Sequence, residues 1–173
     1  MRICAHFFLL GRTIIYHSMV IWRQRFLPFK GWTHMTWLCV LFERSDSRGC
    51  SARTRRHEGI HSVQQVELAL LSLFSLSVLG VVCGFSWWLW VLVVLFSLFA
   101  GWIVYFICWL VECLLPPYGI AYYDICFETE AYAFQDDEDY LSHRIPVWGW
   151  VRCIFDKELI ARARAIRAAC LED

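Results

Sequence analysis

His57-Glu58-Gly59-Ile60-His61 is the stretch of this chain whose residue types and spacing can do chemistry. On an α-helix, residues four apart share a face, so imidazoles at 57 and 61 reach one metal ion. Glu58, one residue on, reaches a water at that metal. Zinc lowers the pKa of such a water towards ~7 and polarises a carbonyl, while the carboxylate accepts the proton. The chemistry is metal-assisted hydrolysis of a peptide bond. Gly59 and Ile60 are uncharged, Ser62 is small and Val63 is apolar, as a packed helix requires. Arg56 is unusual for such a helix, and Gly59 costs it about 1 kcal/mol relative to Ala. The bland alternative is an amphipathic helix beside a membrane, with two histidines on its polar face.

A catalytic zinc site needs a third protein ligand and an open position. The other histidines are His6, His17, His34 and His143, and the carboxylate candidates are Glu128 and Glu130. Residues two apart point to different helix faces, so one of these carboxylates faces the metal and the other does not. Tyr132, Tyr140 and His143 are candidate oxyanion donors, each more often structural. Gln64 and Gln65 read first as polarising the helix where it meets the membrane, and second as orienting the site.

The elements that must bring these residues together flank an apolar block. From Leu68 to Val111 there is no Asp, Glu, Lys or Arg. As one helix, Val66 to Leu115 would be roughly 70 Å long, whereas a bilayer core needs about 20 residues. Two spans fit, Glu67 to Cys83 and Trp87 to Leu115, joined at Cys83-Gly84-Phe85-Ser86. Trp87, Trp88 and Trp90 suit the membrane interface, and Pro116-Pro117 ends the second span. Arg44, Arg48, Arg53, Arg55 and Arg56 precede this hairpin. Arg144, Arg152, Lys157, Arg162, Arg164 and Arg167 follow it, and the turn is uncharged. The positive-inside rule places both flanks in the cytoplasm.

Elsewhere, Met35 to Phe42 reads as a short strand, either a plain packing strand or an edge that pairs with an extended substrate. Arg53 to Gln65 begins a helix leading into the first span. Cys126 to Tyr140 reads as a helix, and the acidic run 136–139 as a solvated face. Phe155 to Cys170 is a basic helix that lies on a membrane surface or packs on the protein. Ile3 to Trp22 is apolar on average, without a signal-peptide cleavage site, and reads as a third weak span or an interfacial helix.

Bulk composition agrees. The 173 residues are 59% hydrophobic and 18% charged, with net charge zero and mean hydropathy +0.48. That excludes a disordered chain, argues against a soluble single domain, and leaves no electrostatic case for nucleic acid. The nine cysteines include no Cys-x-x-Cys pair and read as reduced thiols, mostly buried.

The His-Glu-x-x-His pentapeptide followed by a distant Glu-x-x-Ala helix resembles the membrane-associated gluzincin metallopeptidases. Glu130-Ala131-Tyr132-Ala133 matches the second motif, and the resemblance puts Glu130 in the ligand position. The family's usual Asp after this Ala is Phe134 here. The chain also resembles a group of small uncharacterised bacterial membrane proteins, typical of Bacteroidetes. The shared pieces are Pro28-Phe29-Lys30-Gly31, His57 to His61 with Gln64-Gln65, Phe127 to Ala133, and Tyr140-Leu141. The resemblance covers about residues 26 to 155.

The expectation is a mainly α protein: an integral membrane helical hairpin with a small zincin-like module of active-site helix, Glu helix and short edge strand. It divides into an N-terminal apolar segment 1–25, a metallopeptidase-like domain 26–155 containing the hairpin 67–115, and a basic helix 153–171. Zn²⁺ is held by His57, His61 and Glu130, with Glu58 as general base. The partners are the lipid bilayer, here a bacterial inner membrane, and a peptide or protein substrate reached from the cytoplasm. The alternative is a catalytically inactive metal-binding or scaffold membrane protein.

Overall fold

The structure, a computed structural model, describes residues 19–25, 27, 33–47, 49–114 and 125–172. Three strands come first: β1 (Val20–Gln24), β2 (His34–Trp37) and β3 (Val40–Arg44), in the order β1-β3-β2. β3 pairs parallel to β1 and antiparallel to β2. Two long helices follow, α1 (Ala52–Cys83) and α2 (Trp87–Leu114). Beyond them lie α3 (Cys126–Phe134), α4 (Tyr140–His143), α5 (Trp148–Val151), a 3₁₀ turn (Arg152–Ile154) and α6 (Lys157–Glu172).

Ser51 starts α1 by accepting a hydrogen bond from the Thr54 amide at 3.0 Å, which satisfies a donor the helix leaves open. Gly84 ends it in the left-handed conformation (φ 66°), a backbone that favours glycine. Leu89 N–H to Ser86 C=O then opens α2, and the hairpin forms as expected. α1 and α2 are long and apolar enough to cross a bilayer. Their outer surface carries exposed Phe74, Val81, Val82, Phe96 and Phe106, the side chains a lipid phase solvates. Gly101 lets α2 approach closely, since a Cβ there would lie 3.1 Å from the Gln65 Cα.

The membrane-proximal half of α1 is different. Ile60, Ser62, Val63, Gln64 and Glu67 are buried there against α3 and the sheet. α3 is buried along nearly its whole length. α6 packs on α3, with the Arg162 guanidinium over the Phe134 ring, so the basic helix meets the protein. The acidic run also finds partners: Asp136 pairs with Arg53 and Glu138 with Arg56, clamping the start of α1 to the loop after α3.

Several expectations shift. Met35 to Phe42 is a hairpin of two strands, turning at Leu38-Cys39, where Leu38 has φ 50°. The helix expected to run to Tyr140 stops at Phe134, and Tyr140 begins a separate turn. Within the N-terminal apolar segment, Val20–Gln24 is a strand and not a helix; residues 1–18 lie outside the described residues. The eight described cysteines are free, but only Cys126 and Cys153 are buried.

Candidate metal centre

α1 places His57 and His61 one turn apart, and their Nε2 atoms face each other at 3.2 Å. The carboxylate that meets them is Glu128, from the first turn of α3. Its two oxygens lie 3.4 Å from His57 Nε2 and from His61 Nε2, one each. These ligand atoms fall within 4.8 Å of one another. For bonds of 2.0–2.1 Å, the edge of a tetrahedral zinc site is about 3.3 Å. The donor set of two imidazole nitrogens and a carboxylate is one that catalytic zinc takes. The residues present therefore fit the ion.

The tautomers are set by neighbours. Gln64 Nε2–H donates to Glu130 Oε2 (2.8 Å) and to the Phe127 carbonyl (3.2 Å). Both are pure acceptors, so the Gln64 oxygen must face His61 Nδ1, 2.8 Å away, and Nδ1 must carry the proton. Gln135 Oε1 stands 3.1 Å from His57 Nδ1 and does the same there. Both Nε2 lone pairs are then directed at the shared point. Fixing imidazoles through the nitrogen remote from the metal is the usual device of such sites. The Tyr105 hydroxyl of α2 donates to Glu128 Oε1, the oxygen nearer His61, at 2.7 Å.

Three converging acceptors call for a positive charge among them. Burial pushes the His61 pKa down, but the Glu128 carboxylate outweighs it and lifts the value to about 9. Burial pushes the Glu128 carboxyl up, yet the imidazoles of His61 and His57 hold it well below the usual carboxylate range. A proton on His61 therefore competes with any metal ion at this cluster.

Glu130, expected as the third ligand, is elsewhere. It is fully buried and bonded to Arg144 Nε (2.5 Å), Tyr140 Oη (2.6 Å) and Gln64. Arg144 also reaches Glu67 at 2.5 Å, so one of the arginines counted in the hairpin's flanks is wholly buried. A buried carboxylate needs such a partner, and Glu130 is already saturated. The motif also fits two residues earlier, as Glu128-Thr129-Glu130-Ala131. In that register the residue after Ala is Tyr132, whose ring packs edge-on against His57 at 4.7 Å. That alternative register was the signal that identifies Glu128.

Of the remaining candidates, Tyr132 lines the site, Tyr140 belongs to the Glu130 network, and His143 is exposed beside Asp137. His34 lines the same cavity as the cluster; His6 and His17 lie outside the described residues. Gln64 orients the site, and Gln65 ties α1 to the strand hairpin through the Thr36 carbonyl and the Leu38 amide. Tyr105 had no sequence signal, because it sits inside the apolar block.

The cluster lines a cavity of about 520 Å³. Thr33 to Thr36 line it beside Glu58 of α1. Leu68, Gly101, Trp102 and Tyr105 of the helical hairpin form its membrane side. Thr36 Oγ1 donates to Glu58 Oε2 at 2.6 Å, which holds that carboxylate within the cavity. No protein-family model, curated protein or solved structure matches the chain.

Proposed function

We propose that this is a membrane-bound, zinc metallopeptidase-like protein that hydrolyses peptide bonds. The carrying observation is the convergence of both Nε2 atoms and the Glu128 carboxylate, with each Nδ1 committed to a glutamine oxygen. His57, His61 and Glu128 hold the ion, and Glu130 is not among the ligands. Zinc bound there supplies a Lewis acid and a water of lowered pKa.

The chain's own groups do the rest. Glu58 lines the same cavity and is the general base. Thr36 bonds one of its oxygens, leaving the other to accept the proton of the attacking water. Glu58 then returns that proton to the leaving amine. The β2 edge and the cavity walls orient the substrate and exclude bulk water. The flank charges support a cytoplasmic site.

The test compares zinc content and peptide cleavage in purified protein. Glu58→Gln keeps about one zinc and loses cleavage by ~10²-fold or more. His57→Ala and Glu128→Ala lose the metal. Stoichiometric zinc in His57→Ala defeats the ligand assignment, and full zinc loss in Glu58→Gln defeats the general-base role.

A further inference from the structure

Polarity runs along the three-stranded sheet. In the β1/β3 register Val20 faces Val40, Ile21 faces Leu41 and Trp22 faces Phe42, and then Arg23 faces Glu43 and Gln24 faces Arg44. β2 follows the same gradient in reverse, with Trp37 opposite Val40 and His34 opposite Glu43. One end of the sheet, around the Leu38-Cys39 turn, is thus apolar, and the other is charged. On β1 this end is open: Val20 is 60% exposed, Trp22 62%, and Ile21 is exposed too, whereas the turn residues 37–40 are half-buried and Met19 and Leu41 are buried. An open apolar edge of this kind is a liability in water.

The position of that end relative to the hairpin is fixed by contacts. Gly101 of α2 lies against Gln65 of α1. Because the helices run antiparallel, Leu98 stands about 4.5 Å further along, level with Leu68, where the charge-free block begins. Trp37 Nε1–H donates to the Leu98 carbonyl (3.3 Å), and its ring stacks on Phe99 at 5.3 Å. Leu98 and Phe99 are themselves among the exposed apolar side chains of the hairpin. The apolar end of the sheet therefore continues the lipid-facing surface at the level where the helices enter the bilayer.

We propose that the turn end of the sheet is immersed in the interfacial layer of the membrane, as a third lipid-contacting element beside the two helices. The occupant of the exposed patch is lipid. Among the described residues no further strand pairs with the outer edge of β1, and that edge sets the depth, since unpaired amides and carbonyls cannot sit in hydrocarbon but are hydrated at the headgroup level. Trp22 and Trp37 are the residue type that settles there. β2 is also one wall of the cavity, so that wall stands at the membrane surface. This placement does not depend on whether the site hydrolyses peptides.

The test uses the full chain in phosphatidylcholine liposomes carrying a phospholipid with a diazirine near the top of its acyl chain. After photolysis, labelled residues are mapped by mass spectrometry, with the α1/α2 surface as internal reference. Labelling of residues 20–22 and 38–40 together with the helices, and none at 44–47, is the expected result. Labelled helices with an unlabelled 20–22 and 38–40 overturn the proposal. So does equal labelling of 44–47, which removes the polarity gradient as its basis.

Discussion

Gln64 joins the His57–His61–Glu128 cluster, through His61, to the buried ion network around Glu130. Its oxygen fixes His61, and its nitrogen grips Glu130, the residue next to Arg144 in the buried ion network. Removing that amide should loosen His61 without deleting a ligand. Gln64→Leu is expected to weaken zinc binding 10–100-fold, measured by competition with a chromophoric chelator. The same titration carries a pH prediction. His61 without metal has its pKa lifted from 6.5 to about 9, so the metal-free protein draws stability from the His61–Glu128 pair fully below about 6.5 and loses it as pH rises through about 9. Zinc must displace that proton, so affinity should climb about tenfold per pH unit from pH 6.5 towards 9. A flat profile would contradict the assignment. His57, Glu58 and His61 were legible in the sequence because their geometry is local to one helix. Glu128 against Glu130 was not, because the roll of α3 is decided by Arg144 and Glu67, far away in the chain.

Among the elements, α2 is more than an anchor. Its Tyr105 hydroxyl bonds Glu128 and its ring stacks on Phe127. Tyr105→Phe should weaken zinc binding while leaving helix content unchanged by circular dichroism; unaltered affinity would make the contact incidental. The segment after α4 is shaped by a tight turn. Val147 has φ 62°, the Trp148 amide bonds back to the Pro146 carbonyl, and the Val147 amide donates to Glu67. That turn lays Gly149 on the ion network, where a Cβ would stand 2.6 Å from Arg144 Nε. Gly149→Ala is expected to destabilise the protein by about 1–3 kcal/mol, read from chemical unfolding in detergent. The hairpin helices were legible because the charge-free block exceeds one bilayer thickness, with Gly84 marking the turn. The strand hairpin was not, because its turn uses Leu38-Cys39 and lacks the usual Gly or Asn. Gln65, from α1, supplies part of what holds it.

For the molecule as a whole, the apolar block separates the two halves of the site in sequence and brings them together in space. α1 carries the histidines and runs outward; α2 returns and presents Tyr105; α3 then delivers Glu128. Topology follows from this: both flanks lie on one side, and the turn at Cys83 lies on the other. A membrane-impermeant maleimide on sealed vesicles should modify Cys83 from the face opposite to that which modifies Cys50, with sites mapped by mass spectrometry. Labelling of both from one face would reject the hairpin as a membrane crossing. The central claim, a zinc site of His57, His61 and Glu128, is tested most directly by zinc stoichiometry in the purified wild type, Glu128→Ala and Glu130→Gln proteins. About one zinc in the wild type, none in Glu128→Ala and retention in folded Glu130→Gln is the predicted result. A wild type without zinc, or a Glu128→Ala protein that keeps it, would contradict the account.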